Sequence, residues 1–247
     1  MIELVGALVD RLVAAGDILT LAAAFFLVAW LAERHARDVG LEPAEVASAS
    51  TWLVLGTVAG ARLGYVLPNY PTYLRHPLDL IYVQSGLSVW GAMAGALAAA
   101  LWLRHRLDLP PGRLADLFAP YLALGVAVYD ALCLVRGACS GVVAPFPFGV
   151  VLPGSSQPRI PTDVWEAALM LGLSWLLLDR RKRRSFDGEV GLLFVIGFSA
   201  IRAATDLLRL NLGSWPTPDQ ALALVAIVLA GMVWAWQRRS VPRPKVG

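Results

Sequence analysis

The sequence predicts an all-α integral membrane bundle of about seven transmembrane helices, with the N-terminus outside and the C-terminus cytoplasmic. Three observations carry this. Hydrophobic residues make up 57% of the 247 positions and charged residues 16%, where an average soluble domain has about 25% charged. Mean hydropathy is +0.62. Apolar stretches near the length that crosses a bilayer, about 20 residues, recur along the chain. This composition excludes a disordered chain, a disulfide-built secreted scaffold and an ordinary soluble enzyme. Two cysteines cannot supply a four-ligand zinc site, and neither a metal nor a cofactor is expected. The net charge of +3 reads as membrane topology, with no nucleic-acid partner.

Residues 1–16 come first. Ile2, Val5, Leu8, Val9, Leu12 and Val13 repeat at helical spacing, while Glu3 and Asp10 and the lack of a basic leader exclude a signal peptide. An amphipathic helix on the outer surface is expected there, with a frayed tail as the alternative. A seven-span membrane domain follows over 17–237. Its stretches are 17–32, 46–67, 87–103, 114–135, 162–178, 190–210 and 218–237. Residues 238–247 form a basic cytoplasmic tail. No internal repeat is visible, which disfavours an inverted-repeat transporter.

Basic residues test the count. With the N-terminus outside, the inner segments hold Arg34 and Arg37; Arg104, Arg106 and Arg113; Arg180, Arg181, Lys182, Arg183 and Arg184; and Arg238, Arg239, Arg243 and Lys245. These are fourteen of the 21 Lys and Arg. The outer segments hold Arg11, Arg75, Arg136, Arg159 and Arg209. The positive-inside bias requires an odd number of spans. Trp52, Trp175 and Trp215 lie where an interfacial belt would place them.

Ionisable residues inside spans face a protein interior or a cavity. Arg62, Asp130, Asp163, Glu166, Arg202, Asp206 and Arg209 all fall at the outward ends of their spans. Arg202, Asp206 and Arg209 are spaced i, i+4, i+7 and share a helix face. One outward-facing polar pocket is expected. It reads either as an ion-pair network that pins the bundle or as a headgroup site, since guanidinium matches phosphate bidentately. Gly60 and Gly64, and Gly91 and Gly95, have the spacing of close helix contacts. Cys133 and Cys139 are six apart and read as small buried hydrophobes rather than as a nucleophile or metal pair.

Several segments in order resemble the prolipoprotein diacylglyceryl transferase family. GARLGYVL (60–67) is similar to its GGRIGYV segment, and HPLDLIYVQSGLSVWGAMAGAL (76–97) to its NPLEIFKVWQGGMSFHGGLIG stretch. ADLFAPYLALGVAV and CLVRGACSG, within 115–141, resemble ADxxAPxxxxGxxxGRIGNFxNGExxG. Some branches write that signature with cysteines, as Cys133 and Cys139 do here. PFPFGVVLP (145–153) and RIPTDVWEAAL (159–169) resemble PWGVxFP and RHPxQLYEAxL, and IGFSAIRAATDLLR (196–209) resembles IGYGxFRFxxEFFR.

The resemblance implies an enzyme of the bacterial cytoplasmic membrane with its site on the outer side. It would move a diacylglyceryl group from phosphatidylglycerol to the lipobox cysteine thiol of a secreted prolipoprotein. It implies that Arg202, Asp206 and Glu166 stand at catalytic positions, Asp206 replacing a family Glu. Arg62, Arg136, Arg209, Trp90, Gly91 and Gly137 would bind substrate. Trp90 stands where the family has a histidine, Asp130 where it has the GRIG arginine, and Cys133, Arg136, Ala138 and Ile160 replace two Asn, a Glu and a His. Asp130 reads either as the acceptor of the thiol proton, with Arg136 taking over from the missing arginine, or as a salt-bridge partner of a nearby Arg. The alternative to a transferase is a catalytically inactive lipid-binding paralogue of the same fold. A channel or transporter would spread its charges through the full membrane depth, and here they stop at the outer half.

Overall fold

A computed structural model of the chain describes residues 2–75, 86–133, 141–145, 147, 149–151, 157–209 and 217–240, and the side chains of all these except 2–15, 17, 18 and 75. Its described helices are α1 (Ile2–Arg34), α2 (Pro43–Val66), α3 (Tyr70–Arg75), α4 (Val89–Leu107), α5 (Pro111–Ala131), α6 (Thr162–Lys182), α7 (Glu189–Arg209) and α8 (Pro218–Ser240), with one 3-10 turn at Ala36–Val39. Each of the seven apolar stretches falls on a long helix. Four helices, α2, α5, α7 and α8, are long and apolar enough to cross a membrane. Helix α6 begins with Asp163 and Glu166 and ends in Arg180, Arg181 and Lys182, and α4 ends in Arg104, His105 and Arg106. Their charged ends lower the hydropathy of these two helices. Helix α1 runs unbroken through Gly16 and Asp17 over 33 residues, about 50 Å at 1.5 Å per residue. No helix boundary separates residues 1–16 from the first apolar stretch.

Two compact units divide the chain: Ala32–Leu114, and Met1–Leu31 with Ala115–Gly247. The first contains α2, α3 and α4. Pro43 opens α2 at a position where its missing N–H costs nothing, and Glu45 accepts from the Glu42 backbone N–H at 3.2 Å. Ser88 caps α4 by accepting from the Gly91 N–H at 3.1 Å. Helices α2 and α4 pack through glycines: a Cβ at Gly60 would meet Gly91 and Gly95, and one at Gly64 would meet Gly91 and Ser88. The two glycine pairs in the sequence therefore face each other. Trp52 and Trp102 extend this contact, with ring centroids 4.7 Å apart.

The second unit is built around α5, the most enclosed of the four apolar helices. Ala119 and Ala123 of α5 pack with Leu177 of α6 and Val190 of α7, and Leu173, Leu193 and Phe194 close over them. Pro120 lies within α5, and its carbonyl accepts from Ser174 Oγ of α6 at 2.8 Å. Gly125 lets α5 approach Val28 of α1. Helix α7 also packs against α8, whose opposite face exposes Leu224, Val228, Leu229 and Trp236. Trp52 and Trp175 are exposed, and Trp215 lies outside the described residues.

Extended backbone prepares the start of α6. Arg159 bridges to both Val143 and Val150, and the Ile160 N–H donates to the Val142 carbonyl at 3.0 Å. The Val142 N–H donates to the Leu208 carbonyl, also at 3.0 Å, tying this layer to the end of α7. A Cβ at Gly141 would collide with the Ile160 carbonyl, so only glycine permits this crossing.

Candidate functional site

The first turns of α6 and the last turns of α7 bring five of the predicted residues together. Glu166 is fully buried and sits at the centre. Its Oε1 accepts from Arg202 Nη1 at 2.9 Å. Its Oε2 accepts from Arg209 Nη2, and Thr205 Oγ1 lies 3.3 Å away. Arg209 Nη2 also donates to Asp163 Oδ1, and its Nη1 lies 3.8 Å from Asp206 Oδ1. The i, i+4, i+7 spacing on α7 thus gathers Arg202, Asp206 and Arg209 on one face, from which both arginines reach α6. A buried carboxylate is costly in an apolar surrounding unless paired, and Glu166 is paired twice.

The two arginines differ. Arg209 is held by three carboxylates, and its buried Nε has no hydrogen-bond partner. Arg202 has one carboxylate partner, and its side chain is 26% exposed. Guanidinium carries five N–H donors, so Arg202 keeps donors for another group. Asp130, in the last turn of α5, is 7% exposed, and its Oδ2 is buried with no hydrogen-bond partner. No ion pair joins it to another described residue, and Arg136 lies outside those residues. Glu166, Asp163, Arg202 and Arg209 are the charges that act on it.

Arg62 and Trp90 belong to the other unit. Arg62 Nη1 donates to the Gly86 carbonyl at 3.0 Å, and its guanidinium lies 5.3 Å from the centre of the buried Tyr73 ring. The Ser88 N–H donates to the Ala61 carbonyl at 2.9 Å. Arg62 therefore ties down the turn that leads to Trp90 and α4. Gly86 sits at φ +133° against the Tyr65 ring, a backbone that favours glycine. Gly91 packs directly against Gly60 and Gly64 of α2. Arg136 and Gly137 lie outside the described residues. Cys133 is buried, as a small hydrophobe would be, but it is disulfide-bonded. That corrects the reading of two unlinked cysteines.

A model of the prolipoprotein diacylglyceryl transferase family matches residues 18–236. The chain belongs to this family. Among diacylglyceryl transferases named for phosphatidylglycerol and prolipoprotein, that of Paracidovorax citrulli is 33% identical, over 91% of this chain and 92% of its own. That of Solidesulfovibrio magneticus is 33% identical over 87% and 86%, and that of Synechococcus elongatus 29% over 91% and 84%. In this diacylglyceryl transferase, Glu166, Arg202, Asp206 and Arg209 form one network with Asp163. Two buried residues escaped the sequence reading, Thr205 within the network and Asp116 away from it. Thr205 is neutral and carries no charge signal. Asp116 is fully buried at the opposite end of the same helices, and it accepts from the N–H groups of Gly188 and Val190, both at 2.8 Å, and of Gly191 at 3.1 Å. Its signal was an acidic residue inside an apolar stretch.

Proposed function

We propose that this chain transfers a diacylglyceryl group from phosphatidylglycerol to the thiol of a lipobox cysteine in a secreted prolipoprotein. Arg202 is the observation that carries the reading: a guanidinium fixed on one side by buried Glu166 and free to donate on the other. The reaction forms a thioether S–C bond to the glyceryl carbon and breaks the C–O bond to phosphate. Charge grows on the leaving phosphate, and a pre-oriented guanidinium meets it without reorganising. Arg209, Asp163 and Asp206 set the position of Glu166 and through it Arg202. The family resemblance makes Arg136 and Gly137 of the signature segment, and Arg62, Trp90 and Gly91, further candidates for substrate binding in this reading.

The same reading takes seven spans, an N-terminus outside and a C-terminus inside, in the cytoplasmic membrane of a bacterium. The excess of Lys and Arg on alternate segments supports it, and the site then opens to the outer leaflet. Complementation tests the proposal. A strain depleted of its own transferase should grow on the intact chain and not on Arg202→Ala. Failure of the intact chain, inserted at normal levels, would overturn it in favour of the inactive lipid-binding alternative.

A further inference from the structure

We propose that Asp130 is the proton shuttle of this transfer, taking the thiol proton at Oδ2 and handing it to the leaving phosphate. The proposal rests on the transferase reading above. Three observations carry it. Asp130 is a carboxylate 7% exposed whose buried Oδ2 has no hydrogen-bond partner, and no ion pair joins it to another described residue. A buried acceptor left this way is held for a donor that arrives with a ligand. The groups facing it are Glu166 and Asp163 from α6 and Arg202 and Arg209 from α7, and both arginines are already committed to Glu166. Counting Asp206, the described residues of the cluster include four carboxylates and two guanidiniums. Buried Arg209 Nε, on α7, is a second polar atom without a hydrogen-bond partner.

Charge then dictates the order of events. A phospholipid phosphate on Arg202 brings one more negative charge to a cluster whose described carboxylates outnumber its described guanidiniums. The thiol proton is the mobile positive charge that the reaction itself supplies. Its transfer to Asp130 leaves the thiolate, the form that attacks. The thiolate forms the S–C bond as the C–O bond breaks. The leaving glycerol phosphate takes the C–O electron pair and gains a second negative charge, and the proton on Asp130 passes to it. Thiol and phosphodiester monoanion become thioether and phosphate monoester monoanion, and Asp130 returns to its starting state.

The test uses the full chain in phosphatidylglycerol nanodiscs with a synthetic lipobox peptide. Asp130→Asn should lower kcat by about 10²–10⁴-fold, with KM for the peptide within about twofold and bound phosphatidylglycerol unchanged by native mass spectrometry. Its residual rate should climb with pH towards the thiol pKa of about 8.5, as the thiol ionises unaided, where the intact chain does not need the higher pH. Asp130→Glu, which keeps the carboxylate, should retain more than a tenth of kcat. An Asn chain with normal kcat, or one with raised KM alone, overturns the shuttle and leaves the transferase standing. So does a folded Glu chain as slow as the Asn chain. An intact chain with no transfer removes both.

Discussion

The two ends of the α6–α7 pair use the same chemistry to different purposes. At one end Asp116 spends both oxygens on N–H groups at the start of α7, with Arg184 3.6 Å away. Beside it buried Glu189 takes Arg180 at 3.1 Å on one oxygen and the Ser185 N–H on the other. The donors there are mostly backbone groups of a helix N-terminus, which suit a carboxylate and cannot move. At the other end Glu166 is as fully used, but its donors are arginine side chains, and Asp130 Oδ2 and Arg209 Nε have no hydrogen-bond partner. A carboxylate network whose acceptors are all used is a clamp. One that keeps an acceptor and a donor beside an incompletely used arginine is built to receive something.

Removing the centre of the open network should have the largest effect. Glu166→Ala leaves two half-buried guanidiniums without their shared partner, and Arg202 without its carboxylate, a loss of about 3 kcal/mol. Transfer activity should fall below detection, because Arg202 loses the contact that fixes it. Glu166→Gln should separate the two consequences. It keeps the shape and one acceptor, so thermal unfolding in detergent should fall less than for the Ala chain, while transfer stays at least about 10²-fold down. A Gln chain with normal transfer would show that the charge of Glu166 is not needed to hold Arg202.

The closed network should respond in the opposite sense. Asp116→Asn replaces one acceptor oxygen by a donor facing backbone N–H groups, a cost of about 1–3 kcal/mol. The melting temperature should drop, and transfer per folded molecule should stay within about twofold. A loss of transfer per folded molecule as large as that of the Glu166→Gln chain would erase the distinction between clamp and site.

Much of this was legible from residue order. The long helices follow from apolar runs bounded by basic clusters, because burying or solvating charge is what ends a span. The Glu166 network followed from charged residues at matching depth and from i, i+4, i+7 spacing on α7. Depth, however, is one coordinate of three. Arg62 was grouped with the cluster by its position along a span, and within its own unit it holds the Gly86 carbonyl and lies over the Tyr73 ring. The Asp116 clamp was illegible because its partners are backbone N–H groups distant in sequence, and every residue has one. The Cys133 disulfide left no signal in spacing, and the unbroken course of α1 through Gly16 shows that one glycine need not end a long helix.

The smallest effect should come from the pair that copies the chemistry without the burial. Asp179 and Arg183 lie 3.4 Å apart at the exposed end of α6, with side chains 53% and 73% exposed. They are an i, i+4 pair on the same helix that begins with Asp163 and Glu166. Water and salt screen such a pair, and its ordering entropy offsets most of the attraction. Asp179→Ala should therefore change stability by less than about 0.5 kcal/mol and leave transfer unchanged, with even that small difference vanishing in high salt. A larger, salt-resistant loss would mean that this pair is tied into the Asp116 clamp, through Arg180 and Arg184 on either side of Arg183, and the clamp would then extend to the helix surface.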